Sequence, residues 1–238
     1  MTESERPRVP TYIRDYDHEL GGGIPAGSIV MVTGAPGSMK STLCYYMLYC
    51  NIRERGIKGM YMNIEQTKDS FETQIAAMGL PLKDVEDSVT LLDLNKYRQD
   101  LDDFGGEEGW IEMVGEEVRK MVEKGAIELV VIDSLDALEA ISGVSSPREQ
   151  LFQFFRMLKD FKLTTLIISE TAADDDDPTM MEAFMVDGLF LLRDFEISET
   201  DFQLRIRTVK MRGTKHNRAY FSLCYQDGAF SVVPAIVK

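Results

Sequence analysis

"VTGAPGSMKSTL", residues 32–43, is the stretch whose reading decides the fold. Gly34, Lys40 and Ser41 stand where a phosphate-cradling loop of the pattern G-x-x-x-x-G-K-[ST] has its first glycine, its lysine and its hydroxyl. Such a loop works because consecutive backbone N–H groups at a helix N-terminus face the phosphate oxygens, while the ammonium and the hydroxyl complete the cradle. The residues concerned are Gly34, Ala35, Pro36, Gly37, Ser38, Met39, Lys40, Ser41 and Thr42. Lys40 is the candidate for the β- and γ-phosphates and Ser41 for Mg2+, and Thr42 begins the helix. Met39 occupies the place of the second glycine. If that place requires a positive φ, a side chain there costs on the order of 1 kcal/mol, which weakens a site more readily than it abolishes it.

The surroundings are those the motif needs. "SIVMVTG" (28–34) reads as a buried strand, and Leu43, Tyr46, Met47 and Cys50 recur at helical spacing from Lys40 to about Glu54, with Gly56 closing the helix. Further strands are expected at "GMYMNIE" (59–65), "SVTLLDL" (88–94), "IELVVIDS" (127–134) and "LTTLIISE" (163–170). Helices are expected over about residues 68–78, opening after Thr67, and over about 110–123 and 146–161. Residues 95–108 and "TAADDDDPTM" (171–180) have the composition of exposed loops, and the four aspartates read as solvated charge before they read as a metal site. "FMVDGLFLL", "FQLRIRTVKM" and "AYFSLCY" are expected to be three antiparallel strands extending the sheet. The fold class is α/β: a mainly parallel twisted sheet flanked by helices, with antiparallel C-terminal strands, in one domain over residues 1–238.

Composition narrows the function. The chain carries 26 Lys+Arg against 40 Asp+Glu, a formal charge of −14, which opposes nonspecific nucleic-acid binding. The densest basic strip, "RIRTVKMRGTKHNR" (205–218), reads on its own as an alternating strand with a solvated face. Cys44, Cys50 and Cys224 lack metal-ligand spacing and fit reduced thiols in a core. No apolar run approaches a membrane span and the charged N-terminus does not read as a secretory signal, so a cytoplasmic location is expected.

Three carboxylates complete the chemistry. Asp133 ends the apolar run "LVVID" at the strand edge where α/β sheets bind ligands; it can hold a Mg2+-bound water beside Ser41, or serve as a helix N-cap. Glu65 ends the second strand, placed either to polarise a water that attacks the γ-phosphate or to cap the next helix. Glu170 occupies a comparable strand end and either senses the γ-phosphate or faces solvent.

Taken together, "GGGIPAGSIVMVTGAPGSMKST", "YMNIEQT", "ELVVIDSLDAL", "LIISE", "VDGLFLL" and "VKMRGTKH" resemble the RecA-superfamily ATPases of the KaiC-like type, over about residues 9–234. The resemblance implies a RecA-like P-loop core, with ATP at the subunit interfaces of a homo-hexameric ring and a water-activating carboxylate at Glu65. The family often has two adjacent glutamates there, whereas this chain has Glu65-Gln66. By the same resemblance Lys210 and Arg212 reach across the interface to the neighbour's γ-phosphate, and His216 packs against or hydrogen-bonds the nucleotide or the neighbour. The resemblance implies an ATPase, and the reading adopted is a slow one with a regulatory or signalling role toward an unidentified protein partner. The alternatives are a switch that binds ATP with little hydrolysis, and a recombinase-like DNA binder, which the acidic charge disfavours. A clock kinase is not expected from a single ATPase unit.

Overall fold

Alternation of side chains along buried strands gives the central sheet two apolar faces. The structure is a computed structural model that describes residues 6–93, 110–125, 127–142, 147–170 and 182–235. After two short paired strands, β1 (Arg8–Val9) and β2 (Ile24–Pro25), β3 (Ile29–Gly34) sends Val30 and Val32 to one face and Ile29 and Met31 to the other. β4 (Lys58–Asn63), β6 (Ile127–Asp133) and β7 (Thr164–Glu170) repeat the alternation, for instance with Tyr61 opposite in face to Met60 and Met62. Strands buried on both faces need helices on both, the requirement of a parallel sheet.

With β5 (Val89–Asp93), β8 (Gly188–Ser198), β9 (Asp201–Met211), β10 (Tyr220–Gln226) and β11 (Ala229–Pro234), the order is β11-β10-β9-β8-β3-β7-β6-β4-β5. The pairs from β8 across to β5 are parallel, and those from β8 outward to β11 are antiparallel. β8 therefore departs in part from the expectation for the three C-terminal runs: it lies parallel to β3 and antiparallel only to β9. The apolar residues just before it, Phe184 and Met185, belong instead to a short helix, Glu182–Met185. β11 escaped the sequence reading because "AFSVVP" is short and ends in proline.

Helix α1 (Lys40–Arg55) is buried on most of its surface, at 11 of 16 residues. It lies on the sheet, and the N-terminal segment and the last strands wrap over it. Tyr46 meets the Phe230 ring edge-on at 5.2 Å and donates its hydroxyl to the Tyr12 carbonyl, while Asn51 donates to the Pro10 carbonyl at 2.8 Å. Gly56, at φ +65°, closes the helix with its N–H on the Ile52 carbonyl. α2 (Lys68–Ala77) opens as expected on Thr67, whose hydroxyl accepts from the Ser70 N–H. The other face is covered by α3 (Trp110–Gly125), α4 (Leu135–Ser142) and α5 (Pro147–Asp160), through Val114, Val118, Leu138, Leu151 and Phe154 among others. Each such buried side chain contributes about 1.5–3 kcal/mol. α4 had no place in the sequence reading, because its eight residues are too few to show a period.

Two further expectations are corrected. Strand β9 does not present a solvated basic face: Arg205 is buried and its guanidinium lies 4.4 Å from the Phe195 ring centre, while that of Arg207 lies 5.5 Å from the Tyr220 ring. Nor are all three cysteines in the core, since Cys224 is exposed. The expected loops at 95–108 and 171–180 lie outside the described residues. Among the described residues no helix is long and apolar enough to cross a membrane.

Candidate functional site

The parallel strands end side by side, and their C-terminal ends bring the predicted residues to one edge of the sheet. Gly34 stands in register with Glu170 on β7, and Asn63, two residues before Glu65, stands in register with Asp133 on β6. A cleft of about 380 Å³ opens there, lined by the 36–42 loop together with Glu65, Asp133, Ser134 and Glu170. That is the size and the place at which α/β sheets receive small ligands.

The loop's geometry follows from its residues. Gly34 must lack a side chain, because a Cβ there would collide with the Leu192 carbonyl oxygen and meet the Ser38 Oγ at 2.8 Å. Gly37 has φ +84° with open space beside it. Met39 has φ +65° and ψ +20°, the left-handed conformation for which the motif ordinarily keeps a glycine, and its side chain packs on the α1 core. Lys40 folds back into the loop and donates to the carbonyls of Gly34 at 2.8 Å and Ala35 at 2.9 Å. Burial lowers the Lys40 pKa, and the charges of Glu170, Asp133, Asp136 and Glu65 oppose that shift.

Asp133 is buried, which raises its pKa; hydrogen bonds with Tyr61 and Ser41 oppose the rise, Glu65 adds to it, and the Lys40 charge works against it. The Tyr61 hydroxyl donates to Asp133 Oδ2. The N-cap of α4 is not Asp133 but its neighbour: the Ser134 Oγ accepts from the Ala137 N–H at 3.2 Å. The same hydroxyl donates to Glu65 Oε1. Glu65 itself is exposed and does not cap α2, a place taken by Thr67. Glu170 is exposed at the rim, its backbone N–H held by Asp136 Oδ2 at 2.8 Å. Tyr61 and Ser134 were missed by the sequence reading: Tyr61 lies inside an apolar run where its hydroxyl carries no signal of its own, and Ser134 follows directly on the more conspicuous Asp133.

Lys210, Arg212 and His216 are not brought to this cleft. Lys210 pairs with Leu189 near the start of β8, at the edge of the sheet opposite the loop. The distance between Gly34 and that edge is set by the four residues from Val30, beside Gly188, to Gly34, beside Leu192, or about 13 Å of strand. Lys210 donates to the carbonyls of Ala183 at 2.9 Å and Val186 at 2.7 Å, and its pKa is lowered by burial and then by the Arg212 charge. Arg212 donates to the Phe184 carbonyl at 2.9 Å and lies 3.4 Å from Asp187. The His216 Nδ1 lies 3.0 Å from the Thr214 carbonyl oxygen.

The profile of a family described as "ATPase: KaiC" matches residues 9–235, nearly the whole chain. The chain belongs to the KaiC ATPase family. The clock protein KaiC of Parasynechococcus marenigrum is 25% identical over 98% of this chain. That match takes in only 46% of the clock protein, so the chain spans about half the length of the curated KaiC proteins it resembles. A protein of Thermotoga maritima named UPF0273 is 26% identical over 96% of both chains. The crystal structure of a KaiC-like protein from the hyperthermophilic archaeon Pyrococcus horikoshii shares the fold, with a TM-score of 0.81 at 20% identity, covering 96% of this chain and all of that one.

The donor set suits a nucleotide with its cation. The loop offers the N–H groups of a helix N-terminus, the buried Lys40 ammonium lies among four carboxylates, and Ser41 sits beside Asp133. Among the described residues no three His, Cys, Asp or Glu side chains form a metal cluster, so a cation held here would draw on phosphate and water, as Mg2+ commonly does.

Proposed function

We propose that this KaiC-family chain, acting as one domain, binds ATP with Mg2+ over the 34–42 loop and hydrolyses it slowly as a homo-oligomeric, hexameric ring. The observation that carries the reading is the convergence of Lys40, Ser41, Asp133 and Glu65 on one cleft at the C-terminal ends of the parallel strands. In this reading the loop N–H groups and Lys40 would hold the β- and γ-phosphates, and Ser41 and Asp133 would hold Mg2+. When bound, the cation would neutralise phosphate charge. Glu65 orients the attacking water and takes its proton, and Ser134 holds Glu65 in place. Glu170, exposed at the rim of the cleft, would sense the γ-phosphate.

Lys210 and Arg212 stand at the end of the strands away from their own cleft, a placement compatible with a role at a neighbour's cleft. There they would supply positive charge where the transition state gathers negative charge. His216, on the same loop side of β9, would pack against that neighbour. A ring of this kind would work as a regulatory device on a protein partner, and the formal charge of −14 weighs against DNA as that partner.

The test is phosphate release from ATP–Mg2+ at several protein concentrations, with Lys40→Ala as the control. Release that disappears in the variant and rises more than linearly with protein supports an ATPase completed by its neighbour. Tight ATP binding without release favours a second reading, a nucleotide-dependent switch. Gln66, standing where relatives often carry a second glutamate, is the residue that speaks for it.

A further inference from the structure

Tyr61 sits on β4 in register with Val131 of β6, so Asp133 lies two residues further along the adjacent strand on the same face. A side chain as long as tyrosine spans that diagonal. The ring is fully buried and clamped, stacked on Phe71 with centres 4.4 Å apart and edge-on to Tyr45 at 5.7 Å. Its hydroxyl reaches the end of the apolar layer and donates to Asp133 Oδ2, with Ser41 beside the pair. A buried phenol usually finds a partner, and this one takes a carboxylate oxygen in the cleft, whereas the hydroxyl of the equally buried Tyr45 has no partner among the described residues.

We propose that Tyr61 is a positioning residue for the divalent cation of the nucleotide. By occupying Oδ2 from a ring that cannot swing, it fixes the carboxylate plane of Asp133 and leaves Oδ1 for a metal-bound water beside Ser41. Hydrogen-bond partners behind a metal site commonly act in this way. The inference rests on the nucleotide reading of the cleft and adds to it the residue that sets its cation affinity.

The experiment measures ATP affinity of the purified full chain by calorimetry, first in EDTA and then across a Mg2+ titration. For Tyr61→Phe, which keeps the ring stack and removes only the donor, metal-free ATP affinity should match wild type. The Mg2+ concentration giving half of the metal-dependent gain should rise about tenfold. In an Asp133→Asn background the same change should have no further effect on that midpoint. An unchanged midpoint in Tyr61→Phe overturns the proposal and leaves Tyr61 a packing residue. If Tyr61→Phe does not fold, Phe71→Leu, which loosens the clamp and keeps the hydroxyl, takes its place: a raised midpoint supports the proposal and an unchanged one overturns it. Failure of wild type itself to bind ATP would instead refute the nucleotide reading, and this inference with it.

Discussion

Met39 and Gly56, at the two ends of α1, hold nearly the same backbone conformation, φ +65° with ψ +20° and φ +65° with ψ +22°. At Gly56 this is the ordinary helix stop; at Met39 it places an L-residue with a side chain in the left-handed region. Met39→Gly should therefore be more stable than Met39→Ala by about 1 kcal/mol, since both lose the thioether but only alanine keeps the strain. In a helix interior the order would be reversed. Urea unfolding of the two variants decides it, and an alanine variant as stable as the glycine one would mean that the position does not hold a left-handed residue in solution.

Glu65 and Ser134 are coupled by a hydrogen bond across the cleft. Glu65→Gln should lower kcat for ATP hydrolysis by about 100-fold or more while leaving ATP affinity nearly unchanged. Ser134→Ala should lower kcat less, by about tenfold, because the carboxylate remains but is no longer held. Steady-state kinetics beside equilibrium binding separates the two effects; a Glu65→Gln variant at the wild-type rate removes Glu65 from the chemistry.

If the cleft of one chain is completed by Lys210 and Arg212 of the next, two inactive variants should rescue each other. Lys40→Ala and Arg212→Ala, mixed in equal amounts, should recover up to about a quarter of wild-type turnover, the share of random interfaces that carry both intact groups. No recovery after the subunits have exchanged would place both defects in one chain.

The cysteines should separate by burial. Cys224 is exposed and should react first with a maleimide at neutral pH, whereas Cys50, pushed up to about 11 by burial, should react slowly until the pH approaches that value. Cys44, buried and raised further, should react only on unfolding. The sign for stability follows: between pH 9 and 11 the unfolded chain has lost the Cys50 proton while the folded chain keeps it, so stability should fall as the pH rises through that window. Mass spectrometry of labelled peptides reads the order, and equal labelling of all three would contradict the packing around α1.

Most of the cleft was legible in the sequence because its parts sit at the ends of long apolar runs. "IVMVTG" and "LVVID" read as buried strands of a mainly parallel sheet, and such a sheet places the ends of its strands together, which is why Lys40, Asp133 and Glu65 could be grouped from the sequence. Less legible was whatever depends on which face a residue takes within a run. Tyr61 reads as one more apolar residue of "GMYMN", and only the register with β6 shows that its hydroxyl meets Asp133. The arginines of β9 were misread for the related reason that charge alone does not reveal the aromatic rings of neighbouring strands.

The burial of α1 has a consequence for how the molecule opens. With the sheet beneath it and Tyr12, Pro10 and Phe230 above, the helix is enclosed from Thr42 to Ile52 and open to solvent only in its last turn, Arg53–Arg55. The amides of its enclosed turns should exchange with deuterium only when the whole chain unfolds, placing the end of the phosphate loop, where α1 begins, in the last unit of the protein to come apart.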